Sequence, residues 1–363
     1  MWCSILYLHI TIHWVYSMID SMTDQLPIQP IHKKHSLLKR LALGFGICCG
    51  LGLVVLLGLI HHYGPTVGGR MGMPLYLLPP SPERYGQVAI ELLDSGLYAH
   101  GEAWQKARRE ALDSVKTAKS YEDTYPAITK AMHVAGGKHT FFSPQPVVGR
   151  DSKSPVAFTL PRLERRGDYI HISMPPFVGT TAQAEEYANT LANGLQAHKD
   201  AKGVVINLAG NTGGDMGPMI AGLSPLLPDG GLLGWEYSDG QLHGGVTLAD
   251  GKVTGGGTAV AVQQAGKIRM PIAIITDGKT ASSGELTLLA FRGRKQVRTF
   301  GAPTAGYATS NQIMSLYNGA QIGLTVARTK AHTGETFGDK PIAPDVMAAD
   351  PAAAATAWLA QQK

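Results

Sequence analysis

The sequence predicts an α/β core with a largely parallel sheet and flanking helices, preceded by a small helical bundle and an N-terminal transmembrane helix. Three observations predict it. Leu41 to Ile60 is an uncharged apolar run. Residues 81–138 repeat apolar positions at helical spacing behind helix-start signals. From Gly167 onward short β-rich runs alternate with helical ones, the pattern of strands joined by helical crossovers. The chain has 363 residues, room for more than one domain at roughly 150 residues each. Charged residues make up 16%, below the roughly 25% usual for soluble proteins, which excludes a disordered polyelectrolyte. The net charge is +5, but Lys33, Lys34, Lys39 and Arg40 form one short run. A general nucleic-acid-binding surface is not predicted.

The Leu41–Ile60 run, at 1.5 Å per helical residue, spans about 30 Å, the thickness of a bilayer core. The Lys33–Arg40 cluster precedes it, and His61 to Val67 carry no Lys or Arg. The positive-inside rule therefore places residues 1–40 in the cytoplasm and the chain beyond Ile60 outside, as a single-pass protein of a bacterial-type inner membrane. The run is long for a cleaved signal, and no small-x-small site follows it. Ile47 before Cys48 argues against lipid attachment, and Gly46 and Gly50 form one GxxxG. Ile5 to Met18 is apolar but short for a span, so an interfacial segment and a misassigned start codon both stay open. The three cysteines, Cys3, Cys48 and Cys49, exclude a disulfide framework and a cysteine-rich metal site beyond residue 49.

Residues 61–80 read as a linker. Ser81-Pro82 is a helix start, with Ser as N-cap and Pro at the first helical position, and Val88, Leu92 and Leu93 follow at helical spacing. Two further helices, at 102–119 and from Ser120, complete a bundle over 81–138, with Gly136-Gly137 near its end. The core is expected over 139–346. Residues 169–174 alternate as a strand, 181–198 are helical, and 203–208 form a buried strand with a glycine-rich turn behind it. A helical run at 217–227, a hairpin-like excursion at 228–257, a buried strand at 271–276 and a helix at 283–292 follow. Strands at 296–300 and 321–328 close the core, and residues 347–363 are expected as a terminal helix.

Three places carry residue types suited to chemistry. Thr280-Ala-Ser282-Ser283-Gly-Glu285 lies between a buried strand and a helix, where a hydroxyl reaches the carboxyl edge of the sheet and the helix N-terminus favours developing negative charge. Thr and Ser are also ordinary N-caps there, and no GxSxG elbow is present. Gly210-Asn-Thr-Gly213-Gly214 follows another buried strand; its N–H groups suit an oxyanion or a phosphate, but no Gly-Lys-Ser/Thr completes a nucleotide loop. Gly136-Gly-Lys-His139-Thr offers an imidazole between bundle and core, suited to general base work near neutral pH. Read alone, each is equally a turn, a cap or a surface histidine. His61-His62 beside the span and the cationic run Arg292 to Arg298 read as interface and solvated face. No HExxH or paired-histidine spacing points to a metal.

Taken in order, these segments resemble the C-terminal processing, or tail-specific, serine peptidases (serine peptidase family 41). Gly137-Lys-His139-Thr resembles the family's glycine-His-Ser/Thr segment, and Tyr169 to Phe177 its first core strand. Val205 to Gly214 resembles its Asp-Leu-Arg-x-Asn-x-Gly-Gly turn, and Thr280 to Glu285 its Ser/Thr-Ala-Ser-x-x-Glu nucleophile motif. Gly301 to Gly306 and Pro341 to Asp345 resemble its closing Thr-x-Gly and I-x-P-D elements. The resemblance implies a ClpP/crotonase-like core and a serine peptidase needing no metal or cofactor. It assigns Ser282 as nucleophile, and Ser283 with Gly213 or Gly214 as oxyanion donors.

Two departures shape the expected mechanism. Many members place a lysine base just after Thr-x-Gly, where this chain has Tyr307. Members without it use a histidine, and His139 stands at that position, with Glu285 either orienting it or holding the site's hydrogen bonds. Residues 140–168 are too few for the PDZ domain that many members insert there. Anchor, bundle, missing PDZ and nucleophile motif together look most like the nisin-resistance-protein branch, whose members are membrane-anchored and clip a lantibiotic near its C-terminus. The expected partner is a hydrophobic peptide or a protein C-terminal tail. Two alternatives stay open: an inactive peptide-tail-binding module on the same fold, and an active enzyme with a lysine base such as Lys279 or Lys330.

Overall fold

The computed structural model describes residues 35–145 and 158–362; the expectations for Cys3, Ile5–Met18, Lys33 and Lys34 fall outside these. The first helix, α1 (His35–Arg70), contains a window of mean hydropathy 2.6 with none of its surface buried in protein. It meets the length and composition needed to cross a bilayer. The helix does not stop at Ile60 as expected but runs through Pro65 to Arg70, so part of the expected linker is helical. Of the described residues, those up to Leu59 fall in one unit and those from Ile60 in another.

In the second unit, α2 (Pro82–Leu93), α3 (Gly101–Val115) and α4 (Tyr125–Gly136) pack together. The Ser81 hydroxyl accepts from the Arg84 N–H at 3.2 Å, satisfying one of the orphan donors of the first turn. Val88, Leu92, Leu93, Ile128 and Met132 are all buried, as their spacing requires of a core-facing stripe.

Strands β1 (Phe141–Ser143), β2 (Arg162–Arg166), β3 (Tyr169–Ser173) and β4 (Gly203–Asn207) follow, with α5 (Thr181–Ala197) between the last two. Next come α6 (Met216–Gly222) and the strands β5 (Gly230–Tyr237), β6 (Leu242–Ala249), β7 (Lys252–Thr254), β8 (Val260–Ala261) and β9 (Ile272–Thr276). Helix α7 (Ser283–Ala290) precedes β10 (Val297–Gly301), β11 (Thr309–Ser315), β12 (Gln321–Ala331), β13 (Thr336–Phe337), β14 (Val346–Met347) and α8 (Pro351–Leu359).

One sheet runs β14-β10-β9-β4-β3-β2 and is parallel except for the edge strand β2. Its central strands are near-continuous apolar runs because both faces are covered. Val204, Ile206, Ile272 and Ile274 join the main core with α5 and α6, while Val205, Ala273 and Ile275 pack with Ala355 and Leu359 of α8. A second, antiparallel sheet runs β1-β12-β5-β6-β7-β8, with β11 and β13 also on β12. That sheet adds to the parallel sheet expected from the sequence, and β12 is its hub. Phe141 of β1 pairs with Gly323 of β12, which fixes the chain just beyond His139 against β11 and β12.

Candidate active site

The parallel sheet positions the first half of the site. Strand β9 ends at Thr276, and the Asp277 carboxylate accepts from the N–H groups of Gly210, Lys279 and Thr280 at 2.9–3.0 Å. The Thr280 hydroxyl donates to the Leu208 carbonyl at 2.9 Å, and the Ala281 N–H to the Asn211 carbonyl at 2.9 Å. The turns after β4 and β9 are thereby stitched together. Ser282 heads α7 with φ +51°, ψ −121°, a conformation that costs a non-glycine residue roughly 1–3 kcal/mol and clusters at functional sites. The strand–turn–helix geometry of a nucleophile elbow is adopted without GxSxG.

Glu285, one turn on, is fully buried. Its carboxylate accepts from the N–H groups of Ser282 (3.1 Å), Gly306 (2.9 Å) and Tyr307 (2.6 Å) and from the Thr304 hydroxyl. Burial pushes the carboxyl above its usual range, against the pull of these four donors. Of its two expected roles, the hydrogen-bonding one fits. The acceptors are committed to the Ser282 turn and the 304–307 loop, whereas the Nδ1 of His139 faces the Thr309 hydroxyl at 2.6 Å.

The antiparallel sheet positions the second half. The Asn311 side chain donates to the His139 carbonyl at 2.9 Å, and the Thr140 hydroxyl accepts from the Thr325 N–H at 3.1 Å. Tyr307, at the position of the family's lysine, meets the imidazole edge-on at 5.2 Å, with the Lys138 ammonium 4.4 Å above its ring. Burial pushes the His139 imidazole down to about 4; the Asp339 carboxylate, which accepts from the Tyr98 hydroxyl at 2.6 Å, opposes the shift, and Lys138 adds to it. The ring is therefore neutral at pH 7, the state a proton acceptor needs.

Ser282 and His139 line one cleft of about 780 Å³. Gly214 and Ser283 line it too, and among the described residues neither of their N–H groups has a hydrogen-bond partner. The Ser283 hydroxyl donates to the Gly214 carbonyl at 2.7 Å, which holds the two donors side by side. Gly214 sits at φ +104°, and a Cβ there would lie 2.0 Å from the Phe177 carbonyl oxygen, so only glycine fits. Gly213 is the other expected donor. Its N–H is spent on the Asn211 side chain at 2.9 Å, an Asx turn readable from the Asn-x-Gly spacing. Lys279 and Lys330 are not in the cleft wall. Thr309 and Asn311, which do line it, were not singled out by sequence; they lie in a polar stretch with no motif spacing. Phe141, Val178, Met216, Trp235, Leu286 and Ile313 make the wall largely apolar. Its acidic residue, Asp215, accepts from the Gly217 and Thr258 N–H groups at 2.9 Å each.

A family model described as Peptidase family S41 matches residues 168–348. The nisin-resistance protein of Lactococcus lactis subsp. lactis is 36% identical over 328 residues, covering 89% of this chain and 98% of that protein. The carboxy-terminal processing protease CtpA of Bacillus subtilis (strain 168) is 27% identical over 187 residues, 50% of this chain and 37% of that protein. Among solved structures, a lipoprotein from Streptococcus agalactiae superposes with a TM-score of 0.68 at 33% identity, covering 79% of this chain and 98% of that one. The photosystem II D1 C-terminal processing protease, with a TM-score of 0.52 at 15% identity and covering 75% of this chain and 94% of that one, is alike in fold alone.

Proposed function

The chain belongs to peptidase family S41, a family of serine-type peptidases, and on that premise we propose that it is a membrane-anchored endopeptidase working by a Ser282–His139 mechanism on an extracytoplasmic peptide. The Ser282 Oγ attacks the scissile carbonyl carbon while His139 takes the hydroxyl proton. The tetrahedral oxyanion is held by the Gly214 and Ser283 N–H groups, aimed at charge that develops only in the transition state. Collapse passes the proton from His139 to the leaving amine and leaves an acyl-enzyme. Water, deprotonated by His139, then attacks the acyl carbon, and His139 returns that proton to the Ser282 Oγ as the ester bond breaks and the acid leaves. Glu285 is a positioning residue in this scheme: it ties the nucleophile's N–H to the 304–307 loop.

The observation that carries this reading is the strained, half-exposed Ser282 sharing one cleft with a neutral imidazole and two unpartnered N–H groups. The apolar wall favours a hydrophobic peptide. Likeness to a nisin-resistance protein along nearly its whole length supports an antimicrobial peptide of lantibiotic type as substrate. The charge asymmetry about Leu41–Ile60 supports the extracytoplasmic side.

The test is covalent. A fluorophosphonate probe is expected to label the chain once, at Ser282 by peptide mapping, with labelling abolished in Ser282→Ala. An unlabelled wild-type chain that still binds peptide tails would favour an inactive binding module, the reading Tyr307 leaves open.

The Thr309 hydroxyl gives a second prediction. For Nε2 to accept the serine proton, Nδ1 must carry the hydrogen and donate it to Thr309. Thr309→Val leaves that donor without a partner, a loss of roughly 1–3 kcal/mol, or about 5- to 150-fold in kcat. Thr309→Ser is expected to restore most of it. Equal kcat for the Val variant and wild type, from progress curves on one peptide, would remove Thr309 from the mechanism.

A further inference from the structure

The chain beyond the apolar run does not leave the membrane side directly. Helix α1 ends at Arg70, Gly72 turns at φ +80°, and the following residues run back along the helix they have just left. The Met73 N–H donates to the Gly68 carbonyl at 2.8 Å, and the Leu75 N–H to the Gly64 carbonyl at 3.3 Å. Gly64 and Gly68 make this possible: a Cβ on either would lie 2.8 Å from the Leu75 carbonyl oxygen or 2.3 Å from that of Met73. Two extended residues advance about 6.6 Å and four helical residues about 6 Å. The register that sets Met73 beside Gly68 and Leu75 beside Gly64 therefore runs the segment back toward Ile60, the last residue of the apolar run, before the chain bends at Leu77 and Leu78.

The side chains alternate from Met73 to Leu77, and Leu78 follows on the exposed side. Tyr76 turns inward, its ring 5.1 Å from that of Tyr317. Met73, Leu75, Leu77 and Leu78 face outward, 75%, 52%, 43% and 63% exposed. Arg70 is the only charged residue between Ile60 and Pro80. Outward leucines on a segment that runs back toward the end of the apolar run, with a basic residue at the turn, match a segment lying in the headgroup region of an anionic bilayer.

We propose that Met73–Leu78 is a second lipid contact, folded back along the Ile60–Arg70 part of α1 so that Leu77 and Leu78 enter the bilayer surface. The inference rests on the membrane-anchor part of the reading above. It has a consequence for the site. Gly72 lines the catalytic cleft, and the Arg70 carbonyl accepts from the Gln312 side chain at 3.0 Å. The return segment thus joins the cleft wall to the Ile60–Arg70 part of α1, which is about 15 Å long.

The experiment uses the full chain with Cys3, Cys48 and Cys49 changed to serine, reconstituted in phosphatidylglycerol/phosphatidylethanolamine vesicles. Single cysteines replace Leu77, Leu78 or, as an exposed reference on the β5–β6 turn, Asp239, and each is labelled with bimane. Lipids brominated near the headgroup are expected to quench the Leu77→Cys and Leu78→Cys labels at least threefold more than the Asp239→Cys label. Equal quenching at all three sites, in protein that floats with the vesicles, overturns the lipid contact and leaves the anchor intact. Protein that does not float overturns both.

Discussion

Replacing Ser282 with alanine is expected to lower kcat by a factor on the order of 10^6, with little change in KM and none in the thermal unfolding midpoint beyond a few degrees. The size follows from what the hydroxyl does. Without it there is no acyl-enzyme, and the residual rate comes from water attack assisted only by the Gly214 and Ser283 donors. Folding is largely spared because the start of α7 is held through backbone groups that alanine keeps. The link that holds the turn is its backbone N–H on Glu285 at 3.1 Å, and alanine keeps that group. The measurement is kcat and KM on a peptide the wild type cleaves, alongside thermal unfolding of both proteins. A variant that retains more than a hundredth of the wild-type kcat would show that the nucleophile is elsewhere.

The parts of the fold that were legible in the sequence are those fixed by local physics. Val204 to Ile206 and Ile272 to Ile275 are short, continuous apolar runs, and a strand buried on both faces can only be read one way when turn residues bound it. Ser81-Pro82 announces a helix because the hydroxyl and the missing proline N–H both suit a first turn. The antiparallel sheet was not legible as a unit. Its hub strand pairs with Phe141 to Ser143, which lie far away in sequence, and no local pattern encodes such a partner. The site divides in the same way. Ser282 and Gly214 sit in motifs at turns, so their spacing is informative. Thr309 is one hydroxyl in Thr-Ser-Asn-Gln, and only the pairing of β11 with β12 brings it to the imidazole. The separation of Gly213 from Gly214 lay in between. The Asn211 side chain that consumes one N–H was visible in the Asn-x-Gly pattern, but which glycine it served needed the turn geometry.

His139→Ala is expected to cost about as much as losing the serine itself, roughly 10^6-fold in kcat, and the double variant Ser282→Ala/His139→Ala is expected to be no worse than either single one. Non-additivity is the signature of two groups acting in one step: a serine without a base is barely nucleophilic, and a base without a serine has nothing to activate. The wild-type pH profile carries the same claim. Because burial holds the imidazole down to about 4, kcat/KM is expected to stay level as pH falls from 7 through 5. It should drop only as protonation of the free enzyme sets in near 4, well below the range of an exposed histidine. Protonation removes activity, so the limb falls on the acid side. A low-pKa base pulls weakly on a serine proton, and this is where Thr309 and the Asp339 carboxylate matter. The first can accept from Nδ1–H in the tautomer that leaves Nε2 free, and the second favours the imidazolium that forms as the proton transfers. An enzyme whose His139→Ala variant keeps near wild-type kcat, with activity lost instead in Lys279→Met or Lys330→Met, would place the base on a lysine and undo the dyad.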